Sequence, residues 1–170
     1  MTLLDFILRL TLAIVLGAAI GFERQWRQKS AGLRTNTLVS LGSAAFTLIS
    51  FSITSFDDGV YKGDATRIIG QIVTGIGFLG AGVIMKDGMS IQGLNTAATI
   101  WCSAAVGALA GVGLFAESAI VAGAVMLTHL ALRPLGLKLS RLPFEKEYKV
   151  CSTTPLKYAA KNRLKTICVC

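Results

Sequence analysis

Between Thr74 and Gly82 the chain reads TGIGFLGAG, and Gly75, Gly77 and Gly80 fall in the spacing G-x-G-x-x-G. After a strand and at the mouth of a helix, that spacing lets backbone amides close on the pyrophosphate of a dinucleotide. Neither element is signalled here, because the glycines sit in the middle of a long apolar run with no amphipathic helix after it. The expectation is therefore a membrane helix whose small residues let neighbouring backbones approach closely. Gly77 and Ala81 form a small-xxx-small pair, as do Gly17 with Gly21 and Gly107 with Gly111. The alternative is a distorted helix that exposes backbone beside a cavity.

Other chemistries find less support. No nucleophile–base set and no zinc spacing is present among the 4 cysteines and the single histidine. Cys102 lies in an apolar segment, and Cys151, Cys168 and Cys170 fall in a basic tail where thiols stay reduced. His129, near Arg133 and without a carboxylate partner on its own helix, reads as an interface or packing residue. A Mg²⁺ pathway wants oxygen ligands, commonly carboxylates alongside water. Here the clustered acids are Asp57, Asp58 and Asp64, in a loop between apolar runs. The reading is a protein that is not an enzyme, with no cofactor and no metal site.

Polar residues inside the apolar runs are the more informative set. Asn36, Ser40, Ser43, Thr47, Ser50 and Thr54 follow one another at steps of four or three, which puts all six on one helical face. Such a face is either hydroxyl glue between helices, worth about 0.6 kcal/mol per contact, or one wall of a hydrated cavity. Asn95, Thr99 and Cys102, with Ser103 adjacent, make a similar face further along. Arg67, Gln71 and Thr74 make a third, and one polar seam between the three helices would satisfy all of them. Arg9 follows Asp5 by four residues, so the two can pair on one helix face, or Arg9 can reach the membrane boundary. Arg67 lies similarly close to Asp64. An ionisable residue in a membrane segment is a functional candidate by default.

The elements that carry these residues follow from composition. Of 170 residues, 53% are hydrophobic and only 15% charged, with mean hydropathy +0.63. Globular chains carry about a quarter charged residues. The charges are clustered between five apolar runs, at about 3–22, 35–56, 67–85, 94–114 and 118–132. Each approaches the roughly 20 residues that cross a bilayer. The expected fold is an all-α polytopic membrane protein of five transmembrane helices, embedded in the lipid bilayer, with residues 1–135 as membrane domain and 136–170 as a basic tail. Of the 17 Lys and Arg, eight lie after Pro134 and four between Arg24 and Arg34. Basic loops mark cytoplasmic faces, so the N-terminus is expected outside and the C-terminus in the cytoplasm. Membrane insertion accounts for the net charge of +8 without nucleic acid. MTLLDFILRL lacks the basic n-region of a cleaved signal peptide.

Three stretches in order, GFERQWRQKSAGLRTNTLVSLGSA, RIIGQIVTGIGFLGAGVIMK and GLNTAATIWCSAAVGALAGVG, resemble the MgtC/SapB family of bacterial membrane proteins. With the first helix the resemblance covers about Leu10 to Leu135. It implies an inner-membrane protein that supports growth when Mg²⁺ is scarce and, in pathogens, survival inside phagocytes. It further implies contact with other membrane proteins, the F-type ATP synthase among them, with an ion transporter or channel component as the alternative. Matched to the family's motifs, the interaction candidates are Glu23, Arg24, Gln25, Arg34, Thr35, Asn36, Asn95, Thr96 and Cys102. Thr99 and Arg67 join them from the polar faces above. Gly32 and Leu33 complete the first motif. Residues 23–36 would form a donor-rich loop at the cytoplasmic face, and Asn95, Thr99 and Cys102 a contact face within the bilayer. Many members end in a soluble ACT-like domain, of which FEKEYKV resembles the first strand; most of that domain is expected to be missing. Oligomeric state is left open by the sequence.

Overall fold

Five helices and one short hairpin make up the described residues, 2–54, 65–88 and 90–139, of the computed structural model. In chain order they are α1 (Leu3–Trp26), α2 (Leu33–Thr54), α3 (Ala65–Val83), β1 (Met85–Asp87), β2 (Ser90–Gln92), α4 (Leu94–Val112) and α5 (Phe115–Leu139). The chain divides into two units, Met1–Arg133 and Pro134–Cys170. The second contributes only residues 134–139 to the description, and everything that follows concerns the first. The acidic loop at 57–64 and the expected ACT-like remnant lie outside the described residues.

The protein is an all-α polytopic membrane protein. α1, α3, α4 and α5 each contain a stretch long and apolar enough to cross a bilayer. α2 carries a polar stripe, with no charged residue after Arg34. Asn36, Ser40, Ser43, Thr47 and Ser50 are all buried inside the bundle, so the polar face of α2 is turned away from lipid. Its 22 residues still reach about 33 Å at 1.5 Å per residue.

α2 and α4 form the centre. Each packs against the other, α1 packs on both, and α3 packs on α4 and α2. The close approach is made by small residues. A Cβ on Gly107 would fall 2.7 Å from the Cα and carbonyl carbon of Ser40, and one on Gly111 2.7 Å from the carbonyl oxygen of Ala44. Across the other side of α2, a Cβ on Gly17 would fall 2.7 Å from Cβ of Ser40, and one on Gly21 2.7 Å from Cα of Leu33. Two of the three expected small-residue pairs therefore pack as expected, both against α2. The third does not: a Cβ at Gly75, Gly77 or Gly82 would meet nothing within 4 Å, and Phe78 between them is 82% exposed. Within this chain α3 uses the isoleucines of its opposite face, Ile72 and Ile76, to pack on Ile100 and Ala104.

Two residues of α2's stripe join it to neighbouring helices. Ser40 Oγ donates to the carbonyl of Ala13 in α1 at 2.8 Å, and Ser103 Oγ donates to Asn36 Oδ1 at 2.9 Å. Thr47 bonds back to the Ser43 carbonyl of its own helix at 2.8 Å. The side chain of Thr54 lies outside the described set.

Helix ends are closed by specific contacts. α1 opens with a capping box between Thr2 and Asp5. Asp5 is thus engaged at the helix start, and Arg9 reaches across instead: its Nη1 donates to the carbonyls of Gly111 and Val112 at 2.8 Å each. A cation on the last carbonyls of α4 satisfies acceptors the helix cannot and complements its dipole. α1 runs one turn beyond its expected end at Phe22 and finishes in a Schellman motif, with Gln28 in the left-handed region at φ 53. Lys29 N bonds the Arg24 carbonyl at 3.1 Å and Gln28 N the Gln25 carbonyl at 2.9 Å. The expected loop from 23 to 36 shrinks to 27–32, because helical residues flank it on both sides. The hairpin pairs Met85 with Gln92, Lys86 with Ile91 and Asp87 with Ser90. It was not anticipated, since two exposed three-residue strands show no periodicity, although Asp87-Gly88 is a hairpin turn signal. It brings the end of α3 so close to the start of α4 that a Cβ on Gly93, φ 92, would collide with the carbonyl of Val83.

Candidate functional site

Alternation of helix direction gathers one set of ends together: the last turn of α1, the 27–32 loop, the start of α4 and the later part of α5. Between them lies an open cavity of about 610 Å³. Its lining includes Arg24, Arg27, Lys29, Asn95, Thr128 and His129.

Arg24 is the central residue. It is 2% exposed, on the same face of α1 as Ala13, Gly17, Ile20 and Gly21. One guanidinium nitrogen donates to Thr96 Oγ1 at 2.7 Å, and Ser30 Oγ stands 3.3 Å from that same hydroxyl. Its Nε is buried without a hydrogen-bond partner. No carboxylate pairs with it among the described residues, because the adjacent Glu23 forms its ion pair with Arg27. A buried cation held by a single neutral hydroxyl is costly to desolvate.

α4 and α5 meet across the same space. Thr99 Oγ1 donates to the Asn95 carbonyl at 2.8 Å and stands 3.1 Å from His129 Nε2. With the threonine's one proton given to the carbonyl, the imidazole must donate from Nε2. That fixes which ring nitrogen carries the proton and leaves Nδ1 as the acceptor of the neutral ring.

The sequence candidates separate into three groups. Glu23, Arg24, Asn95, Thr96 and Thr99 come together here, with Asn95 exposed and the two threonines buried beneath it. Gln25 and Asn36 hold the neighbouring chain turn. Gln25 Oε1 accepts from Leu33 N at 3.1 Å, at the start of α2. Asn36, fully buried, donates from Nδ2 to the carbonyls of Ala31 and Gly32 at 3.1 and 2.9 Å. Arg34 is exposed and Thr35 half-buried on the first turn of α2. Cys102 is half-buried with a free thiol, one turn below Thr99. Arg67 is not part of the assembly: it is exposed near the start of α3, at the opposite end of the bundle. Gln71 and Thr74 are exposed too, so the seam joins α2 and α4 without α3, whose packed face is apolar. Nor is the face of Asn95, Thr99 and Cys102 open along its length, because α5 covers Thr99 through His129. His129 and Lys29 are the residues missed. Thr99 and His129 lie 30 positions apart on different helices, beyond the reach of any local pattern. Arg24 carried a readable signal in its register with Gly17 and Gly21.

Comparison with known proteins gives a family model, MgtC family, matching residues 10–137. An uncharacterized protein of Synechocystis is 51% identical over 147 residues, 86% of this chain and 60% of that protein. Protein MgtC of Salmonella typhimurium is 47% identical over 147 residues, 86% of this chain and 61% of that protein. Protein MgtC of Brucella abortus is 53% identical over 123 residues, 72% of this chain and 49% of that protein. The chain thus spans about three fifths, or less, of the length of these relatives. No solved structure matches.

Proposed function

The chain belongs to the MgtC family, and from that premise we propose that it is a non-catalytic regulatory protein of the bacterial inner membrane, supporting growth when Mg²⁺ is scarce by contacting other membrane proteins. The F-type ATP synthase is the partner to test first. The resemblance of the three motif stretches supports the physiological role. The contact mechanism rests on one observation: Asn95 is exposed at the bundle end, on a helix otherwise half buried, while the threonines around it are engaged in holding α1 and α5. An exposed amide on a rigid base is suited to docking. On the polar stripe of α2, which a transporter would use as a wall, Asn36, Ser40 and Thr47 are instead spent on contacts between and within helices. In the same reading the N-terminus is outside and the end carrying Asn95 faces the cytoplasm, following its cationic side chains.

ATP-driven proton pumping in inverted membrane vesicles tests the mechanism. Wild-type protein is expected to lower pumping, and Asn95→Ala at equal abundance to leave it at the level of vesicles without the protein. Equal pumping in all three would overturn the ATP-synthase contact.

A further inference from the structure

We propose that the cavity between the last turn of α1, the 27–32 loop, α4 and α5 binds a phosphate-bearing anion, either the headgroup of an anionic phospholipid or a free phosphate. The inference stands apart from the reading of a protein partner.

Charge is the first argument. Arg24, Arg27 and Lys29 line the cavity against a single carboxylate, Glu23, which is already paired with Arg27. Two cations are left without an acidic counterpart at the site among the described residues. Lys29 is exposed, whereas Arg24 lines the cavity with only 2% of its surface exposed. Among the described residues its guanidinium makes one hydrogen bond, to Thr96, and its Nε has none. A buried guanidinium in this condition calls for an anion, and a phosphate suits it because the planar fork of N–H donors matches tetrahedral oxygens in pairs.

The neutral lining is the second argument. Asn95 brings an amide and Thr128 a hydroxyl, and the same cavity wall holds the imidazole of His129. Among the described residues Glu23 is the one carboxylate at the space, and it is paired with Arg27. The volume of about 610 Å³ exceeds what a bare phosphate needs and lies in the range of sites that take a whole small molecule.

Position is the third argument. Trp26 lines the cavity, is 79% exposed, and lies against Phe22 with ring centroids 6.1 Å apart and the planes tilted by 42°. Exposed tryptophan at a helix end marks the headgroup level of a membrane. The cavity is therefore within reach of both phospholipid headgroups and phosphate in solution, and the experiment must separate the two.

The test uses the whole chain. Native mass spectrometry on the purified protein reads retention of phosphatidylglycerol against phosphatidylcholine. Line broadening in ³¹P NMR, on protein in phosphatidylcholine nanodiscs, reads binding of inorganic phosphate. Saturable retention of phosphatidylglycerol over phosphatidylcholine supports the lipid source, and saturable phosphate binding supports the soluble one. In either arm Lys29→Gln is expected to weaken binding by about tenfold, as for one lost charge-assisted hydrogen bond. Arg24→Gln should weaken it at least as much. Because Arg24 is buried and its variant can lose folding, the exposed Lys29 carries the decision. Lys86→Gln removes an exposed charge from the hairpin, outside the cavity, and should leave binding unchanged. Retention of neither ligand, or equal weakening by Lys86→Gln and Lys29→Gln, would overturn the site.

Discussion

Asn36 and Asn95 are the same residue type at the same end of the bundle, and their surroundings assign them opposite consequences. Asn36 is fully buried with three hydrogen bonds, to the carbonyls of Ala31 and Gly32 and from the hydroxyl of Ser103. Removing its amide strands the Ala31 carbonyl and the Ser103 hydroxyl, while the Gly32 carbonyl keeps the backbone N–H at position 36. Asn36→Ala is therefore expected to destabilise the protein by about 2–3 kcal/mol, since each stranded buried group carries a desolvation cost of about 1 kcal/mol or more. Asn95 is exposed, so Asn95→Ala should leave stability within about 0.5 kcal/mol of wild type. The fraction of each variant that stays monodisperse after stepwise heating in detergent reads the difference. An Asn36→Ala protein as heat-resistant as wild type would mean the three bonds contribute nothing net. The motif resemblance marked both asparagines, but it could not say that one is structural. Only the crossing of α2 on α4, which brings Ser103 to Asn36 across 67 positions, decides it.

At the scale of elements, two pairs of small residues look alike in the sequence and differ in what they meet. Gly107 lies against the backbone of Ser40, and backbone cannot rotate aside as a side chain can. Gly107→Ala should push α2 from α4 and cost about 1–3 kcal/mol, the usual range for overpacking. Gly77 faces open space, and glycine inside a helix is less favourable than alanine by about 0.5–1 kcal/mol. Gly77→Ala should thus be neutral or slightly stabilising, read by the same heating assay. Loss of the folded protein in Gly77→Ala would show that α3's glycines are packed against something beyond this chain. The helices themselves were legible because each apolar run is long enough to show. Their ends were less so: α1 continues to Trp26 because Arg24 turns inward and Gln28 can adopt a left-handed end, and neither fact is visible in hydropathy. The small-residue spacing announced close packing for three pairs, yet spacing alone does not say which face of a helix looks at a neighbour. In α3 the apolar face won.

For the whole molecule, the distribution of charge between the two ends makes orientation testable. The end with the cavity carries Arg24, Arg27, Lys29, Arg34 and Lys86 against Glu23 and Asp87. The opposite end, within the described residues, carries Asp5, Arg9, Arg67 and Glu117. Arg9 there is already committed to the carbonyls of α4. Short basic segments beside membrane helices stay in the cytoplasm, so the cavity end should face it. With the native cysteines replaced, Glu117→Cys and Lys86→Cys place one exposed thiol at each end. An impermeant maleimide added to spheroplasts should label Glu117→Cys at once and Lys86→Cys only after the membrane is opened. Labelling of Lys86→Cys in sealed spheroplasts would reverse the orientation. The result also bears on both functional readings. With the cavity inside, Asn95 can meet the cytoplasmic parts of a partner and Arg24 can sample cytoplasmic phosphate or the inner leaflet. With the cavity outside, contact through Asn95 would have to occur on the face away from ATP hydrolysis, and the anion would have to come from the outer leaflet or the periplasm.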